Sequence, residues 1–341
     1  MKGLVHKEHF DGIISGKFLP PYCVCTDPSN YCNQACIYCN SKQYKSDYAE
    51  SYMPEGHLLK LASFYKDWGI QSTIIEGGGE PLTNPETIDF IKKCYDYEIE
   101  TGLITNGSLI DNNLLDICDM LRFIGISFDA GSAKTYEKIR GIQNFKTVCH
   151  NVYELNKHKK ICDVNMKFLI HPLNYKEIYT FVALAKNLGC NGAHIKPVAT
   201  KNIIGIDSVD LSPYIKEINK QIERTRQLED ESFSVYSVMY KFDNNMQHQI
   251  KFTKCDCTPI GGVFGADGNF WLCFNSRGVP GFRLGSHYPD PYNIKRLWST
   301  KLHKKLINNI NINNCMRCGL TAYNEIIENC IKQDKLFWKF L

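Results

Sequence analysis

The chain has 341 residues, 43% hydrophobic and 22% charged, with a formal net charge of +4. This composition fits one large or two ordinary globular domains; the weak positive charge neither demands nor excludes a nucleic-acid or anionic substrate, and no apolar run reaches the roughly 18 residues that span a membrane. Met1–Pro20 alternates charged and apolar residues and lacks the apolar core of a signal peptide, which points to the reducing cytoplasm, where 16 cysteines mean metal or redox chemistry rather than disulfides.

The first strand candidate, Tyr22–Thr26, leads into Cys32-Asn-Gln-Ala-Cys36-Ile-Tyr-Cys39. A [4Fe–4S] cube normally takes four thiolates, so a loop of three leaves one iron open to a small molecule. Structural zinc wants a fourth ligand, and none lies nearby in sequence. Further strand candidates are Ile70–Glu76, Glu98–Thr105, Phe123–Phe128, Val164–Ile170 and Gly192–Lys196. Helical patterns separate them. Leu58, Leu61, Ala62 and Tyr65 share one face, and Ile88, Ile91 and Tyr95 another. Tyr175–Leu188 turns Ile178, Phe181, Val182 and Ala185 inward and stops at Gly189. The alternation predicts an α/β fold with six βα units, a partial (β/α)6 TIM-like barrel, with chemistry at the strand C-termini.

Polar motifs sit at those ends. Gly77-Gly78-Gly79-Glu80-Pro81 follows the second strand; it is either a plain turn or a place where backbone approaches a ligand and Glu80 meets an ammonium. Asn106 ends the third strand. Ser127 and Asp129 end the fourth, where both can bind hydroxyls or Asp129 can cap the next helix. Arg140 suits a carboxylate. Lys167, His194 and Lys196, on the fifth and sixth strands, are candidates for a catalytic base or for packing; alternation puts His194 and Lys196 on one face.

Past Gly205 the texture changes, which divides the chain into a core (1–204), a bridge (205–251) and a C-terminal region (252–341). The bridge holds a helical segment, Asp207–Arg226, entered through Ser212-Pro213, then an irregular Asp230–Gln249 with a β-like Phe233–Tyr240. The C-terminal region carries Cys255-Asp-Cys257, a turn at Gly268 before a hairpin strand Phe270–Phe274, a helix Ile294–Ile310, the pair Cys315-Met-Arg-Cys318, and an aromatic tail, Lys335–Leu341, expected to dock on the core. Cys257, Cys273, Cys315 and Cys318 can converge on one metal, with Cys255 the alternative first ligand; spacing alone suits zinc or a cluster equally. Cys94, Cys118, Cys149, Cys162 and Cys330 read as packed helix thiols, and Cys190 as core or cavity.

Taken in order, the motifs from Tyr22 to Pro197 resemble radical S-adenosylmethionine (SAM) enzymes. The resemblance implies that Cys32, Cys36 and Cys39 hold a [4Fe–4S] cluster whose open iron takes SAM. It further implies that Tyr38 lies beside the adenine, that Gly78, Gly79 and Glu80 meet the methionyl amino group, that Asn106 lines the pocket, that Ser127 and Asp129 meet the ribose, and that Arg140 meets the methionyl carboxylate. The C-terminal region resembles the twitch domain, the shortened relative of the SPASM domain, and implies a small β-hairpin/helix unit with one auxiliary [4Fe–4S] cluster. Full SPASM domains continue with further cysteines, and Gly319–Asn329 has none. A 5′-deoxyadenosyl radical would then abstract hydrogen from substrate, with flavodoxin or ferredoxin as electron donor. The expected outcome is a two-electron oxidation of a small, carbohydrate-like substrate, the auxiliary cluster taking the electron. The alternative is a peptide- or protein-modifying maturase; the short stretch before the first strand favours the small substrate. An electron-transfer or sensor module would need no Gly78-Gly79-Glu80 and Ser127/Asp129 set.

Overall fold

The computed structural model describes residues 5–39, 41, 51–198, 209–239, 249–315 and 318–331. The tail Lys335–Leu341, the side chain of Cys330 and the start of the bridge at Asp207 lie outside the described residues.

In chain order the elements are α1 (Lys7–Ser15), β1 (Cys23–Thr26), α2 (His57–Trp68), β2 (Ser72–Ile75), α3 (Thr87–Asp96), β3 (Glu100–Thr105), α4 (Asn112–Leu115), β4 (Phe123–Ser127), α5 (Ala133–Arg140) and α6 (Phe145–His158). There follow β5 (Asp163–Ile170), α7 (Ile178–Asn187), β6 (Gly192–Pro197), α8 (Ile215–Thr225), β7 (Ser234–Ser237), β8 (Gly261–Phe264), β9 (Asn269–Trp271), β10 (Arg283–Ser286), α9 (Tyr292–Leu297), α10 (Lys301–Asn308) and α11 (Thr321–Ile326).

All ten strands belong to one sheet in the order β10-β9-β8-β1-β2-β3-β4-β5-β6-β7. The run from β8 through β1 to β7 is parallel, and β9 and β10 close it antiparallel. The sheet is thus longer than the six strands read from the sequence. The β-like stretch at Phe233 supplies β7, which pairs with β6 and puts α8 in the position of a crossover helix. From the C-terminal region, β8 pairs parallel with β1, Gly261 opposite Cys23 and Phe264 opposite Thr26.

Each strand buries one face under the helices and turns the other inward. On β5, Val164, Met166, Phe168 and Ile170 are fully buried, and the Phe168 ring meets Phe181 of α7 at 4.8 Å between centroids. On α2, Leu58, Leu61, Ala62 and Tyr65 are all fully buried, as their spacing predicts. On α3 the inward face is rotated from the expected one. Thr87, Phe90, Ile91 and Cys94 are buried, whereas Tyr95 is 55% exposed. The i, i+3, i+4, i+7 set that starts at Thr87 is the apolar stripe, and Tyr95 falls one position past it. The helix expected over Ile294–Ile310 is two helices, parted at Ser299 with φ +60° and restarted by Thr300, whose hydroxyl accepts from His303 N. The hairpin at Gly268 (φ +79°) forms as expected between β8 and β9. Cys94, Cys118 and Cys162 pack in the core and Cys149 against it, and Cys190 is core rather than cavity.

Candidate active site at the strand C-termini

The cysteine loop leaves β1 and folds over the ends of β2 and β3. It is held there by backbone. Gly79 N donates to Ser29 O and Glu80 N to Tyr31 O, at 2.9 and 2.8 Å. A Cβ on Gly79 would stand 1.9 Å from Tyr31 O, and one on Gly141 (φ +69°) 2.9 Å from Ala35 O. The close approach that the glycine run permits is therefore first an approach to the cysteine loop itself.

Glu80 is 2% exposed. Its Oε1 accepts from Thr105 Oγ1 at 2.6 Å and Leu82 N at 3.3 Å, and its Oε2 from Asn106 N at 2.7 Å. Burial pushes its carboxyl above the usual range, and these hydrogen bonds work against the rise. Asn106 Nδ2 donates to Asn33 Oδ1, and Asn33 Nδ2 to Ser108 Oγ, so the end of β3 grips the cysteine loop directly.

Asp129 does not cap α5; Ser132 does, accepting from Thr135 N. Asp129 has φ +64° and is 2% exposed, and it spends both oxygens on protein donors. Oδ2 accepts from Arg140 Nη1 at 2.8 Å and Oδ1 from Leu169 N at 2.6 Å. Arg140 Nε donates to Gln34 Oε1 at 2.8 Å. Burial alone would lower the Arg140 pKa, but nearby Cys36 and Asp129 raise it above its ordinary value. Cys36 is pushed up to about 11 by burial, with Arg140 pulling the other way. A metal would compete for that proton, because only a thiolate ligates. The Tyr38 hydroxyl is buried with no hydrogen-bond partner among the described residues, and its ring lies 5.5 Å from His171.

These parts enclose one cavity of about 210 Å³. Cys32, Cys36, Cys39 and Tyr38 line it from the loop, and Gly78, Gly79 and Glu80 from the β2 end. Asn106, Ser127 and Arg140 complete the wall. Three thiols beside a carboxylate, a guanidinium and a glycine edge form a donor set that fits an iron–sulfur cluster carrying a charged ligand. Sequence reading missed Gln34, Asn33 and Glu76, which also reach this site. Glu76 had the one usable signal, its place next to the glycine run.

Deeper in the sheet, Lys167 pairs in register with His194 and Leu169 with Lys196. Lys167 Nζ would stand 3.0 Å from a Cβ on Gly125, so its ammonium lies over the inner face of β4, beneath Ser127. The His194 ring meets Tyr236 at 5.2 Å. Burial, with Lys167 and Lys196 adding to it, lowers His194 to about 4, which keeps it neutral at pH 7.

Of the C-terminal cysteines, Cys255, Cys273, Cys315 and Cys318 line a second, small cavity of about 20 Å³, with Phe252 and Phe282. Cys257 is not among them. It is fully buried in an apolar cluster with Phe10, Ile260 and Ile327. Asn324 Oδ1 accepts from both Asp256 N and Cys257 N, which turns the chain into the short 3-10 helix Thr258–Ile260 and carries the two thiols to different sides. The expected set therefore gathers with Cys255 in place of Cys257. Among the described residues no three Cys, His, Asp or Glu side chains stand close enough to hold a metal ion without adjustment.

Residues 26–185 match the family model described as the Radical SAM superfamily. A protein named "Probable GTP 3′,8-cyclase" from Saccharolobus islandicus (strain M.14.25) is 26% identical over 206 residues, covering 58% of this chain and 63% of that protein. The chain thus matches a little under two thirds of that relative's length. SuiB of Streptococcus suis, solved with its precursor peptide SuiA, shares the fold with a TM-score of 0.66 at 15% identity, over 89% of this chain and 71% of that one. The anSMEcpe structure with bound AdoMet has a TM-score of 0.62 at 16% identity, over 84% and 83% of the two chains. A sequence match and a shared α/β partial-barrel fold thus meet on the segment that carries the cysteine loop, the glycine run and the Arg140–Asp129 pair. Residues 26–185 of this chain are a radical SAM domain.

Proposed function

We propose that this chain is a radical SAM enzyme that reductively cleaves SAM and abstracts hydrogen from a substrate C–H bond. The observation that carries this reading is the single cavity shared by the three loop thiols, the Gly78-Gly79-Glu80 edge, Asn106, Ser127 and Arg140. Cys32, Cys36 and Cys39 would hold a [4Fe–4S] cluster, and with SAM that cluster supplies a 5′-deoxyadenosyl radical. The chain's own residues bind and orient. Arg140, with two of its N–H donors fixed on Asp129 and Gln34, presents the rest to the methionyl carboxylate. Glu80, buried and braced by three donors, faces the methionyl ammonium. Tyr38 walls the adenine side, and Ser127 takes a ribose hydroxyl. Asp129, both oxygens committed, acts by holding Arg140.

Cys255, Cys273, Cys315 and Cys318 would hold the auxiliary [4Fe–4S] cluster of a twitch-type region. A site closed by four thiolates suits electron acceptance, which supports a net two-electron oxidation of a small, carbohydrate-like substrate. Lys167, His194 or Lys196 would take the proton, and a flavodoxin- or ferredoxin-type donor in the cytoplasm would supply the reducing electron. A second reading, modification of a peptide, is supported by SuiB, which binds its precursor peptide SuiA on the same fold.

The test is anaerobic. Reconstituted protein with SAM and dithionite should form 5′-deoxyadenosine, and Cys36→Ala should form none. Equal yields from the two proteins would end the radical SAM reading.

A further inference from the structure

Two sites have been described, one at the loop thiols and one at the C-terminal cysteines. One side chain touches the frame of both. Arg277 lies four residues after Cys273, in a tight turn where Ser276 N donates to Cys273 O at 3.1 Å and Asn275 N to Cys273 Sγ at 3.5 Å. Arg277 Nη1 donates to Phe274 O and so closes that turn on itself. Its remaining donors leave the turn altogether. Nε donates to Asp27 Oδ2 at 2.6 Å and Nη2 to Asp27 Oδ1 at 3.0 Å, a bidentate pair with the residue that follows β1. Nη2 also donates to Glu76 Oε1 at 2.7 Å, at the end of β2. The same Oε1 accepts from Cys25 Sγ at 3.0 Å.

The three side chains differ in exposure. Arg277 is 11% exposed and Asp27 1%, but Glu76 is 29% exposed, and what it faces is the cavity of the three loop thiols. Glu76 is also the residue before the glycine run, and its own amide donates to Thr26 O. Phe274 completes the joint by laying its ring over β8, where a Cβ on Gly261 would meet it at 2.4 Å. Removing Arg277 would leave Asp27 buried without a counter-charge and release Glu76 as well, whereas removing Glu76 leaves the buried Arg277–Asp27 pair intact.

We propose that Arg277 is a positioning residue that clamps the Cys273 turn to the wall of the SAM cavity, so that the auxiliary cysteine site and Glu76 are set relative to one another by one guanidinium. The SAM part of this rests on the function proposed above; the clamp does not. Glu76, held by Arg277 and Cys25 through one oxygen, keeps the other toward the cavity as an acceptor for a hydroxyl or ammonium donor of whatever lies beside SAM.

Hydrogen–deuterium exchange on the metal-free chain reads the clamp directly. Arg277→Met should speed exchange in both 76–80 and 273–279 at least tenfold, with the α2 amides unchanged. Arg277→Lys should recover most of the protection. Glu76→Gln should loosen 76–80 alone, because Asp27 still holds the turn. In reconstituted enzyme Arg277→Met should raise the KM for SAM in uncoupled cleavage severalfold, with kcat within twofold of wild type. Release of 273–279 alone, or of neither segment, would overturn the clamp. If Arg277→Met does not fold, Arg277→Lys and Glu76→Gln decide by the same two segments. A wild-type protein that makes no 5′-deoxyadenosine would sink the proposed function and leave the exchange result standing.

Discussion

Arg140 donates to Asp129 at 2.8 Å in an ion pair whose side chains are 7% and 2% exposed, and Arg140 O accepts from the cysteine-loop amide of Ala35. The last residue of α5, fixed on Asp129, thus holds a loop about a hundred positions earlier. Removing the cation leaves a carboxylate buried with one backbone donor. Arg140→Met should therefore cost about 3–5 kcal/mol, measured by chemical denaturation of the metal-free chain. Pairing it with Asp129→Asn should return a large part of that loss. A single-variant loss below about 1 kcal/mol, the range of an exposed pair, would contradict this account.

Gly79→Ala should expel the cysteine loop from its seat, since the new methyl would meet backbone at 1.9 Å and no side chain can yield. Iron bound after reconstitution should fall to the level of the Cys32/Cys36/Cys39 triple Ala variant. Gly281→Ala is the matched control. Nothing lies within 4 Å of its Cβ position, and it should shift stability by no more than about 0.5 kcal/mol.

The C-terminal thiols give a sharper contrast. In a background lacking the three loop cysteines, Cys255→Ala should abolish metal binding, while Cys257→Ala should retain it and cost only packing, on the order of 1 kcal/mol. Metal analysis with the two outcomes reversed would restore Cys257 as the ligand.

Three buried histidines join His194 in the acid response. His57 is lowered to about 4 by burial and Lys60, and His287 to about 3 by burial and His57. His303 is lowered to about 3 by burial and Lys304. His287 Nε2 lies 2.9 Å from Gly265 O, which can only accept, so His287 Nε2 carries the hydrogen and its Nδ1 accepts a hydrogen bond from His57 Nε2. All three are neutral when folded and bind protons near 6.5 when unfolded, so the unfolded chain takes up more protons between the two values. Stability should fall as pH drops from about 6.5 toward 4, by at most about 1.4 kcal/mol per pH unit for each histidine. Denaturation midpoints at pH 7, 6 and 5 should show the decline, and His303→Phe should flatten it. A pH-independent midpoint over that range would refute the assignment.

Local features were legible in the sequence. The faces at Leu58–Tyr65 and Ile178–Ala185 follow from 3.6-residue spacing, and the loop thiols and the glycine run announce themselves by residue type. What stayed hidden depends on partners far along the chain. Arg277 and Asp27 are 250 positions apart, and nothing local marks either as half of a pair. Which of Cys255 and Cys257 faces the small cavity depends on Asn324, 67 positions beyond Cys257. The carboxylates Glu76 and Glu80 look alike in sequence and line the same cavity, yet Glu80 is 2% exposed and braced by three donors while Glu76 is 29% exposed and tied to Arg277. The pairing of β8 with β1 is a register between two four-residue segments too short to signal it.

That last pairing bears on how the chain is made. Gly261, opposite Cys23 in the sheet, leaves the ribosome 238 residues later. At ordinary translation speeds of about 5–20 residues per second, β1 waits roughly 10–50 s with one edge unpaired. Throughout that interval β1 keeps an edge ready to pair with any other strand. A nascent chain arrested before Gly261 would carry every residue of the cysteine loop and still be a sheet with an open seam, dependent on chaperone shelter until its own C-terminal strand arrives.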